Sequence, residues 1–378
     1  MSNKCNELKR LENTIYYGVT GCGKSHAIEE HLQRSVTLDT VNETDTIVYE
    51  KIAFHPDYTY ADFVGQNISI VNPLSGKVEY EFTPGPFTRL LRQAVINPHK
   101  DFYLVVEDIN RGNAAAIFGD MMHILGGGTQ LSPKVVDGQV MTLYEGLHFV
   151  HNAAVAKAVY GNPDAEVHMP CNFAVLATMN TSLPNTYALD SAFLGRFKMV
   201  AVENDFSREI DIYGNGHPYA DMRIMDSHIT WQAFCECINK IIAENKSRML
   251  TVEDKRLGIY FVNPKELALN FQIDPNPQYR NYYEERRALS KIPNESRPAW
   301  FNERWYLLNR YLMEARVFPE KVIRYLWDDV FRFNPEVLFD TEIVFDAEQA
   351  IRLFASSYGN DRFKVFRSSV QKLLFESN

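Results

Sequence analysis

This 378-residue sequence lacks several features of secreted and membrane proteins. No apolar run approaches the length of a membrane-spanning helix, and residues 1–10 form a polar tail without the apolar core of a signal peptide. The five cysteines form neither a disulfide framework nor a zinc spacing, so the reducing cytoplasm is the expected location. Only Cys235 and Cys237 lie close together, in a helical pattern where their side chains diverge, which favours packing over metal binding.

The sequence also lacks an excess of positive charge. Its 39 basic and 48 acidic residues give a net charge of −9, so the surface is not globally attractive to DNA or to acidic membranes. A contact with DNA must therefore come from a local basic patch or from another subunit. Hydrophobic residues make up 46% and charged residues 23% of the sequence, as in ordinary globular proteins, and the length allows two or three domains.

The most informative stretch is a complete phosphate-binding motif at residues 18–25, GVTGCGKS, which fits the pattern G-x-x-x-x-G-K-[ST]. It follows a short apolar run at residues 15–17 and precedes a helical pattern at residues 25–34, the strand–loop–helix context that the motif requires. Glycines allow a tight turn that aims N–H groups at phosphate oxygens, and the helix N-terminus adds its positive dipole end. The predicted nucleotide-binding residues are Gly18, Val19, Thr20, Gly21, Cys22, Gly23, Lys24, Ser25 and His26.

A second element of phosphoryl-transfer chemistry comes at residues 101–108, DFYLVVED, an apolar strand that ends in two carboxylates. In such an enzyme Lys24 reaches the β- and γ-phosphates and the Ser25 hydroxyl binds Mg²⁺. One strand-end acid helps to hold the metal and the other polarises the attacking water. We assign Glu107 to Mg²⁺ and Asp108 to the water. The usual order in phosphate-loop enzymes is Asp then Glu, and the reversed order here leaves slow turnover open.

Two polar residues further along the chain complete the predicted catalytic group. A strand-like run at residues 173–181 contains Asn180, whose amide can hydrogen-bond the γ-phosphate or the lytic water. Residues 189–197, LDSAFLGRF, carry Arg196 near a helix end. An arginine finger that reaches a neighbouring subunit's nucleotide is the favoured role for Arg196, because it neutralises charge that develops in phosphoryl transfer. A surface charge is the alternative.

The pattern of apolar runs predicts an α/β domain at residues 11–205, with a mainly parallel sheet and helices on both faces. The predicted strands are residues 15–17, 47–52, 102–106 and 173–177. The predicted helices are residues 25–34, 87–97, 113–125 and 153–160. A β-hairpin insert is expected at about residues 66–86, and a second insert, another hairpin with a surface loop, at about residues 126–170.

Residues 206–378 predict a smaller, mostly helical domain. The predicted helices are residues 229–245, 305–314, 321–333 and 363–375. Residues 273–300 are rich in Pro, Asn, Arg and Tyr and are expected to form an exposed insertion. Their arginines and tyrosines could bind single strands or phosphates, but Glu284 and Glu285 also lie there, and a solvated loop is the favoured interpretation.

The order of these motifs resembles that of the AAA+ ATPases, and their details resemble the McrB family of restriction motor subunits. The resemblance is carried by residues 106–112 (VEDINRG), 176–181 (LATMNT) and 189–197 (LDSAFLGRF). Residues 54–65 also match, and the hairpin before residue 86 corresponds to an insertion shared by McrB-like and MoxR-like proteins. The similarity covers about residues 12–205 and continues weakly through residues 253–261 and 318–329, which resemble the family's helical lid.

The resemblance implies an NTPase that requires Mg²⁺, uses GTP or ATP, and assembles as a homo-oligomeric ring, expected to be a hexamer. It implies a role in DNA restriction and phage defence, in which the ring drives an McrC-like nuclease and DNA is contacted through the partner, without a membrane. Arg111 is expected to face a neighbouring subunit, and Lys255 and Arg256 to form a lid sensor. McrB proteins often carry an N-terminal DNA-reading domain that we do not find here, so target reading is expected to belong to a partner or to residues 273–300.

Two departures from the family pattern keep alternatives open. The family usually has an Asp shortly after the Met-Asn-Thr stretch, where Leu183 stands here, and a single Arg196 stands where an arginine pair is common. Separately, no guanine-reading Asn-Lys-x-Asp motif occurs, so the base is not specified. The first alternative is a MoxR-like remodelling chaperone that acts on protein partners. The second is a nucleotide-gated scaffold with slow turnover.

Overall fold

The computed structural model of the chain forms two compact units. The described residues are 10–38, 47–71, 76–180, 187–204, 221–245, 255–269, 273–274 and 276–376. The first unit contains residues 10–18 and Lys24–Val202, and the second contains Val19–Gly23 and the residues from Glu203 onwards. In the described ranges, no helix is both long and apolar enough to span a bilayer.

The first unit is built around a five-stranded parallel sheet, which confirms the predicted α/β class. The strands of this unit are β1 (Thr14–Gly18), β2 (Val48–Ala53), β3 (Gly65–Val71), β4 (Val78–Pro84), β5 (Phe102–Glu107), β6 (Thr129–Val136), β7 (Gln139–Val150), β8 (Val167–Pro170), β9 (Phe173–Asn180) and β10 (Lys198–Ala201). The central sheet has the spatial order β10-β1-β9-β5-β2. Its inner strands β5 and β9 are apolar and almost wholly buried, as expected for a parallel sheet that is covered on both faces.

Helices and a large aromatic cluster cover this sheet. The helices are α1 (Lys24–Leu38), α2 (Tyr60–Phe63), α3 (Pro86–Ile96), α4 (Ala114–Phe118), α5 (Ala153–Tyr160) and α6 (Ser191–Leu194), with 3-10 helices at Ile109–Arg111 and Gly119–Leu125. Phe63, Phe87, Phe118 and Phe193 pack ring against ring, with neighbouring centroids 4.6–6.3 Å apart. Rings at these separations add specific edge and face contacts to the burial of apolar area.

The predicted helix at residues 113–125 is wrong as a single element. It divides at Gly119, which has a φ of 53°, so α4 ends there and a 3-10 helix follows. Glycine adopts this left-handed conformation without the penalty that a Cβ imposes. The ring of Tyr60 also fills the space beside Gly119, since a Cβ built there would lie 2.7 Å from Tyr60 Cδ2.

Two insertions extend from the first unit. Strands β3 and β4 form the predicted antiparallel hairpin, paired from Gly65 with Pro84 to Val71 with Val78, although part of its predicted turn lies outside the described residues. The second insertion is more regular than the predicted hairpin and loop. It contains a three-stranded antiparallel sheet of order β6-β7-β8, and α5 lies between β7 and β8 in the chain.

The second unit is mostly helical, as predicted. Its helices are α7 (Trp231–Glu244), α8 (Pro264–Leu267), α9 (Tyr282–Leu289), α10 (Phe301–Glu314), α11 (Val317–Tyr325), α12 (Ala347–Ser356) and α13 (Ser368–Glu376), with a π-helical turn at Leu326–Val330 and 3-10 helices at Ile259–Phe261, Asn294–Ser296, Pro335–Val337 and Gly359–Val365. Cys235 and Cys237 are buried in the core of this unit. Burial raises the pKa of the Cys237 thiol to about 11, as suits packing.

The segment predicted as an exposed insertion is partly packed. Helix α9 buries Tyr282, Glu285 and Leu289 in a small core shared with α10. Arg304 Nε lies 2.8 Å from the Glu285 carboxylate, and the Arg286 guanidinium lies over the Trp305 ring. Because this segment has its own core and Arg286 has an internal partner, it is a poorer candidate for a nucleic-acid site than the sequence alone allows.

Candidate functional site

The predicted phosphate loop lies where β1 ends and α1 begins. Gly21 and Gly23 have φ values of 77° and 100°, conformations that favour glycine. Lys24, the first residue of α1, is buried, and its Nζ donates to the carbonyl oxygen of Gly18 at 3.0 Å. His26 is exposed on the first turn of the helix, where its Nε2 lies 3.3 Å from Glu30 Oε1. The sequence therefore folds into the predicted strand–loop–helix arrangement.

Ser25 and Glu107 come together in the first unit. Ser25 lies in the first turn of α1, and Glu107 is the last residue of β5. The Ser25 hydroxyl donates to Glu107 Oε2 at 3.1 Å. Two neighbouring ligands of an octahedral Mg²⁺ ion, each about 2.1 Å from the metal, lie about 3 Å apart. This pair of oxygens therefore fits the ion, which prefers oxygen ligands.

Glu107 is also held by two residues that sequence reasoning does not identify. Lys51 Nζ lies 2.8 Å from Glu107 Oε1, and the Thr178 hydroxyl donates to Oε2 at 2.9 Å. Burial alone would raise the pKa of Glu107, but the hydrogen bonds from Lys51 and Thr178, the Lys51 charge and the Ser25 hydrogen bond outweigh burial, and the pKa is lowered. The carboxylate is therefore ionised at neutral pH, as a metal ligand must be.

Asp108 follows directly and has a left-handed backbone, with φ 52° and ψ 51°. Its N–H donates to Thr178 Oγ1 at 2.9 Å, and its Oδ1 accepts a hydrogen bond from Asn180 Nδ2 at 2.8 Å. Its Oδ2 lies 3.4 Å from Arg111 NH1. Asn180 ends β9 opposite Gly18 of β1. The structure thus brings Asp108, Asn180 and Arg111 together beside the strand end that leads into the loop.

The structure does not place Arg196 in this group. Arg196 lies between α6 and β10, and its NH1 would be 3.4 Å from a Cβ built on Gly126. Its Nε is buried without a hydrogen-bond partner among the described residues. In the second unit, Arg256 Nε is likewise buried without such a partner within the described ranges, and the Lys255 carbonyl accepts a hydrogen bond from Tyr325. The finger and lid-sensor roles stay predictions.

Sequence comparison connects this arrangement with two restriction proteins, although no family profile matches the chain. The chain is 26% identical over 351 residues to the type II restriction enzyme BsuMI component YdiS of Bacillus subtilis strain 168, which covers 86% of this chain and 81% of that protein. It is 25% identical over 202 residues to the type IV methyl-directed restriction enzyme EcoKMcrB subunit of Escherichia coli strain K12, which covers 53% of this chain and 38% of that protein. The chain resembles McrB-like AAA+ proteins. The resemblance inferred from the motifs is thereby confirmed.

Two solved structures also align with the McrB-like chain over 96% of its length. One is a provisionally assigned ATPase from Cytophaga hutchinsonii, at 12% identity and with 74% of its chain covered. The other is PCH-2 of C. elegans, at 10% identity and with 61% covered. Both superpose with a TM-score of only 0.27, so neither supports the assignment. The two sequence relatives carry it.

Lys51 and Thr178 of the McrB-like chain show what the sequence could have revealed. Ala53 pairs with Glu107 across the β2–β5 ladder, and Lys51 lies two residues earlier, on the same face of β2. Thr178 likewise lies two residues before Asn180 and faces the same side of β9. A lysine or threonine two positions before a strand end is therefore a usable signal, but only once the neighbouring strands and their register are known.

Proposed function

We propose that this McrB-like chain is a Mg²⁺-dependent nucleoside-triphosphate hydrolase. The observation that carries the proposal is the approach of Ser25 Oγ to the Glu107 carboxylate at 3.1 Å, one residue after the loop lysine. Ser25 and Glu107 would hold the metal between them and the nucleotide phosphates. When bound, Mg²⁺ neutralises charge on the β- and γ-phosphates and so lowers the barrier to phosphoryl transfer.

The chain's own residues supply the other roles. The amide groups of Val19–Gly23 and the Lys24 ammonium bind the phosphates, as the loop motif predicts. Asp108 orients the attacking water with a carboxylate whose Oδ1 is held by Asn180. The Asn180 amide therefore fixes the direction of the carboxylate, and Oδ2 is the oxygen that would accept a hydrogen bond from the water. Arg111 lies close enough to Oδ2 to stabilise its charge.

The assembly and the biological role are part of the same proposal. The chain would form a homo-oligomeric ring, expected to be a hexamer, in which Arg196 acts on the nucleotide of a neighbouring subunit. The two named relatives are restriction proteins, which supports a motor that acts with an McrC-like nuclease in DNA restriction and phage defence in the cytoplasm. GTP and ATP are both candidate substrates, because the loop contacts only phosphates.

The test is phosphate release from ATP and from GTP, with and without Mg²⁺, for the full chain and for Lys24→Ala. We expect turnover to require Mg²⁺ and to be lost in Lys24→Ala, because the ammonium that binds the β- and γ-phosphates is gone. Lys157→Ala is the matched control, since Lys157 is exposed on α5. Equal phosphate release by both variants and the wild type would contradict the proposal that the chain hydrolyses nucleoside triphosphates. Stimulation by a protein client rather than by DNA or a nuclease would favour a MoxR-like remodelling role.

A further inference from the structure

A short segment of the second unit packs against the loop residues Val19–Gly23, which belong to the same unit. We call residues 257–261 the brace. The Tyr260 N–H donates to the Gly21 carbonyl oxygen at 2.8 Å, and the Cys22 N–H donates to the Val19 carbonyl at 3.3 Å. The Gly21–Cys22 peptide group is therefore held at both its oxygen and its nitrogen. Its orientation is fixed by the brace on one side and by the loop itself on the other.

The brace and the loop approach so closely that glycine is needed on both sides. A Cβ built on Gly258 would lie 2.2 Å from the Gly21 carbonyl carbon and 2.5 Å from Cys22 N. A Cβ on Gly21 would lie 2.7 Å from Phe261 N, and one on Gly23 would lie 2.7 Å from a ring carbon of Tyr260. Most of these are contacts with backbone, which cannot turn aside as the end of a flexible side chain can.

The brace is itself anchored to α7 by hydrogen bonds. Asn239 accepts from the Leu257 N–H at 2.7 Å and donates to the Leu257 carbonyl at 2.9 Å. The buried Trp231 Nε1 donates to the Ile259 carbonyl at 2.8 Å. Because the backbone is tied on both sides of Gly258, a displacement at Gly258 has to be absorbed by the loop.

We propose that the brace sets the position of the phosphate loop, which makes Gly258 and Tyr260 positioning residues for nucleotide binding. The inference rests on the proposed function of the loop. Amide groups bind a phosphate well only when several converge on it, and a shift of about 1 Å in a catalytic arrangement can cost about a hundredfold in rate. Gly258 and Tyr260 need not touch the nucleotide for this effect, because they act through the Gly21–Cys22 peptide group.

The primary test is Gly258→Ala in the full chain. Gly258 has φ −90° and ψ 158°, which alanine adopts readily, so the substitution adds the 2.2 Å contact without backbone strain. We expect binding of MgATP and MgGTP to weaken by about tenfold to a hundredfold. We also expect faster hydrogen–deuterium exchange in residues 15–34 without nucleotide. The matched control is Gly146→Ala, where the nearest atom would be 3.6 Å from the new Cβ.

A second pair of variants separates positioning from general stability. Tyr260→Ala should weaken nucleotide binding and speed exchange of the loop, because the ring that packs on Gly23 is lost, and Tyr260→Phe should restore most of both. If hydrogen–deuterium exchange of the loop in Gly258→Ala equals that in Gly146→Ala, the proposed role of the brace is overturned. If wild-type protein binds neither nucleotide, the proposed function fails, and the exchange measurements without nucleotide still decide whether the brace holds the loop.

Discussion

Two lysine–glutamate pairs in the first unit consist of the same residue types, but the pKa values of their glutamates are shifted in opposite directions. In the candidate site, Lys51 Nζ lies 2.8 Å from Glu107, whose side chain is 21% exposed. In the second insertion, Lys134 Nζ lies 3.5 Å from Glu145, whose side chain is 1% exposed. His168 Nε2 is 3.8 Å from the same Glu145 oxygen. That oxygen, Oε1, has no hydrogen-bond partner in the described part of the chain.

The pKa values of the two glutamates move in opposite directions. Burial raises the pKa of Glu145, and the Lys134 charge, the interaction with His168 and the hydrogen bonds from Ser132 and Lys134 do not offset it, so the pKa is raised overall. Burial acts on Glu107 in the same direction, but short hydrogen bonds from Lys51 and Thr178 reverse the outcome and lower its pKa. A nearby cation is therefore not sufficient to lower the pKa of a carboxylate; the balance between burial and the donors around it decides the direction.

Topology explains why three side chains converge on Glu107 at hydrogen-bond distance. Glu107 lies at the carboxyl edge of the parallel sheet, where β5, β9 and the N-terminal turn of α1 each place a polar side chain at the same point. Ligands of open α/β sheets bind at this edge. Glu145 lies within β7, the middle strand of the antiparallel sheet β6-β7-β8. Burial there outweighs the interactions with Lys134, His168 and Ser132, so a similar pair leaves the pKa of Glu145 raised.

The largest expected difference is in turnover after removal of each carboxylate charge. Glu107→Gln should lower Mg²⁺-dependent phosphate release by about 10- to 100-fold, because an ionised oxygen that supports the metal is lost. Glu145→Gln should leave release unchanged, since it does not contact the loop or the strand-end acids. Steady-state kinetics at several Mg²⁺ concentrations test both. Equal losses of phosphate release in Glu107→Gln and Glu145→Gln would show that Glu107 contributes no more to turnover than a structural glutamate does.

An intermediate effect is expected when each lysine is neutralised. Lys51→Met removes the hydrogen bond and the charge that lower the pKa of Glu107, so that pKa should rise towards its ordinary value, and the acid limb of the pH–rate profile should move to higher pH. Lys134→Met should leave that limb in place, although loss of the Lys134 charge further disfavours the ionised form of Glu145. Lys51→Arg is the charge-preserving control. An acid limb that does not move in Lys51→Met would contradict the assignment of Glu107.

The smallest effect is expected in the pH dependence of stability. Folded Glu145 holds its proton above the ordinary pKa of about 4.3, so between that value and its raised pKa the native state binds more protons than the unfolded state. The free energy of unfolding should therefore fall as pH rises through this window. Glu107 acts in the opposite sense, with stability lost as pH falls through its lowered pKa.

Urea unfolding of the wild type, Glu145→Gln and Glu107→Gln between pH 2 and pH 8 measures these two slopes, with the Glu107 effect at the acid end of the range. Glu145→Gln should lack the fall in stability with rising pH, and its midpoint at pH 8 should not lie below that of the wild type. A lower midpoint at pH 8 would mean that the interactions with Lys134 and His168 outweigh the cost of burying the Glu145 charge.

Local sequence was sufficient for the elements that carry their own signals. Residues 153–160 form a helix with the predicted bounds, because Asn152 caps its first turn and Gly161 ends it in a left-handed conformation. Apolar runs located β1, β2, β5 and β9 to within a few residues. The phosphate loop was readable because its glycines and lysine have fixed spacing.

Elements that depend on distant partners could not be read in this way. Strand β10 has four residues and is defined by its pairing with β1, far away in the sequence. Helix α12 was missed although Asp346 caps it. The contacts of Lys51 and Thr178 with Glu107 depend on the register of three strands. The site was therefore predictable as a set of chain segments, while the partners that tune its acid were not.

The left-handed conformation of Asp108 has a consequence for the unusual order of the two acids. Aspartate and asparagine are among the few residues besides glycine that adopt this region readily, because a short polar side chain can bond close to its own backbone. A glutamate at this position would keep the charge but resist the turn, whereas an asparagine would keep the turn but lose the charge. The backbone that leaves β5 thus gives a geometric reason for the longer acid to stand first and the shorter one second.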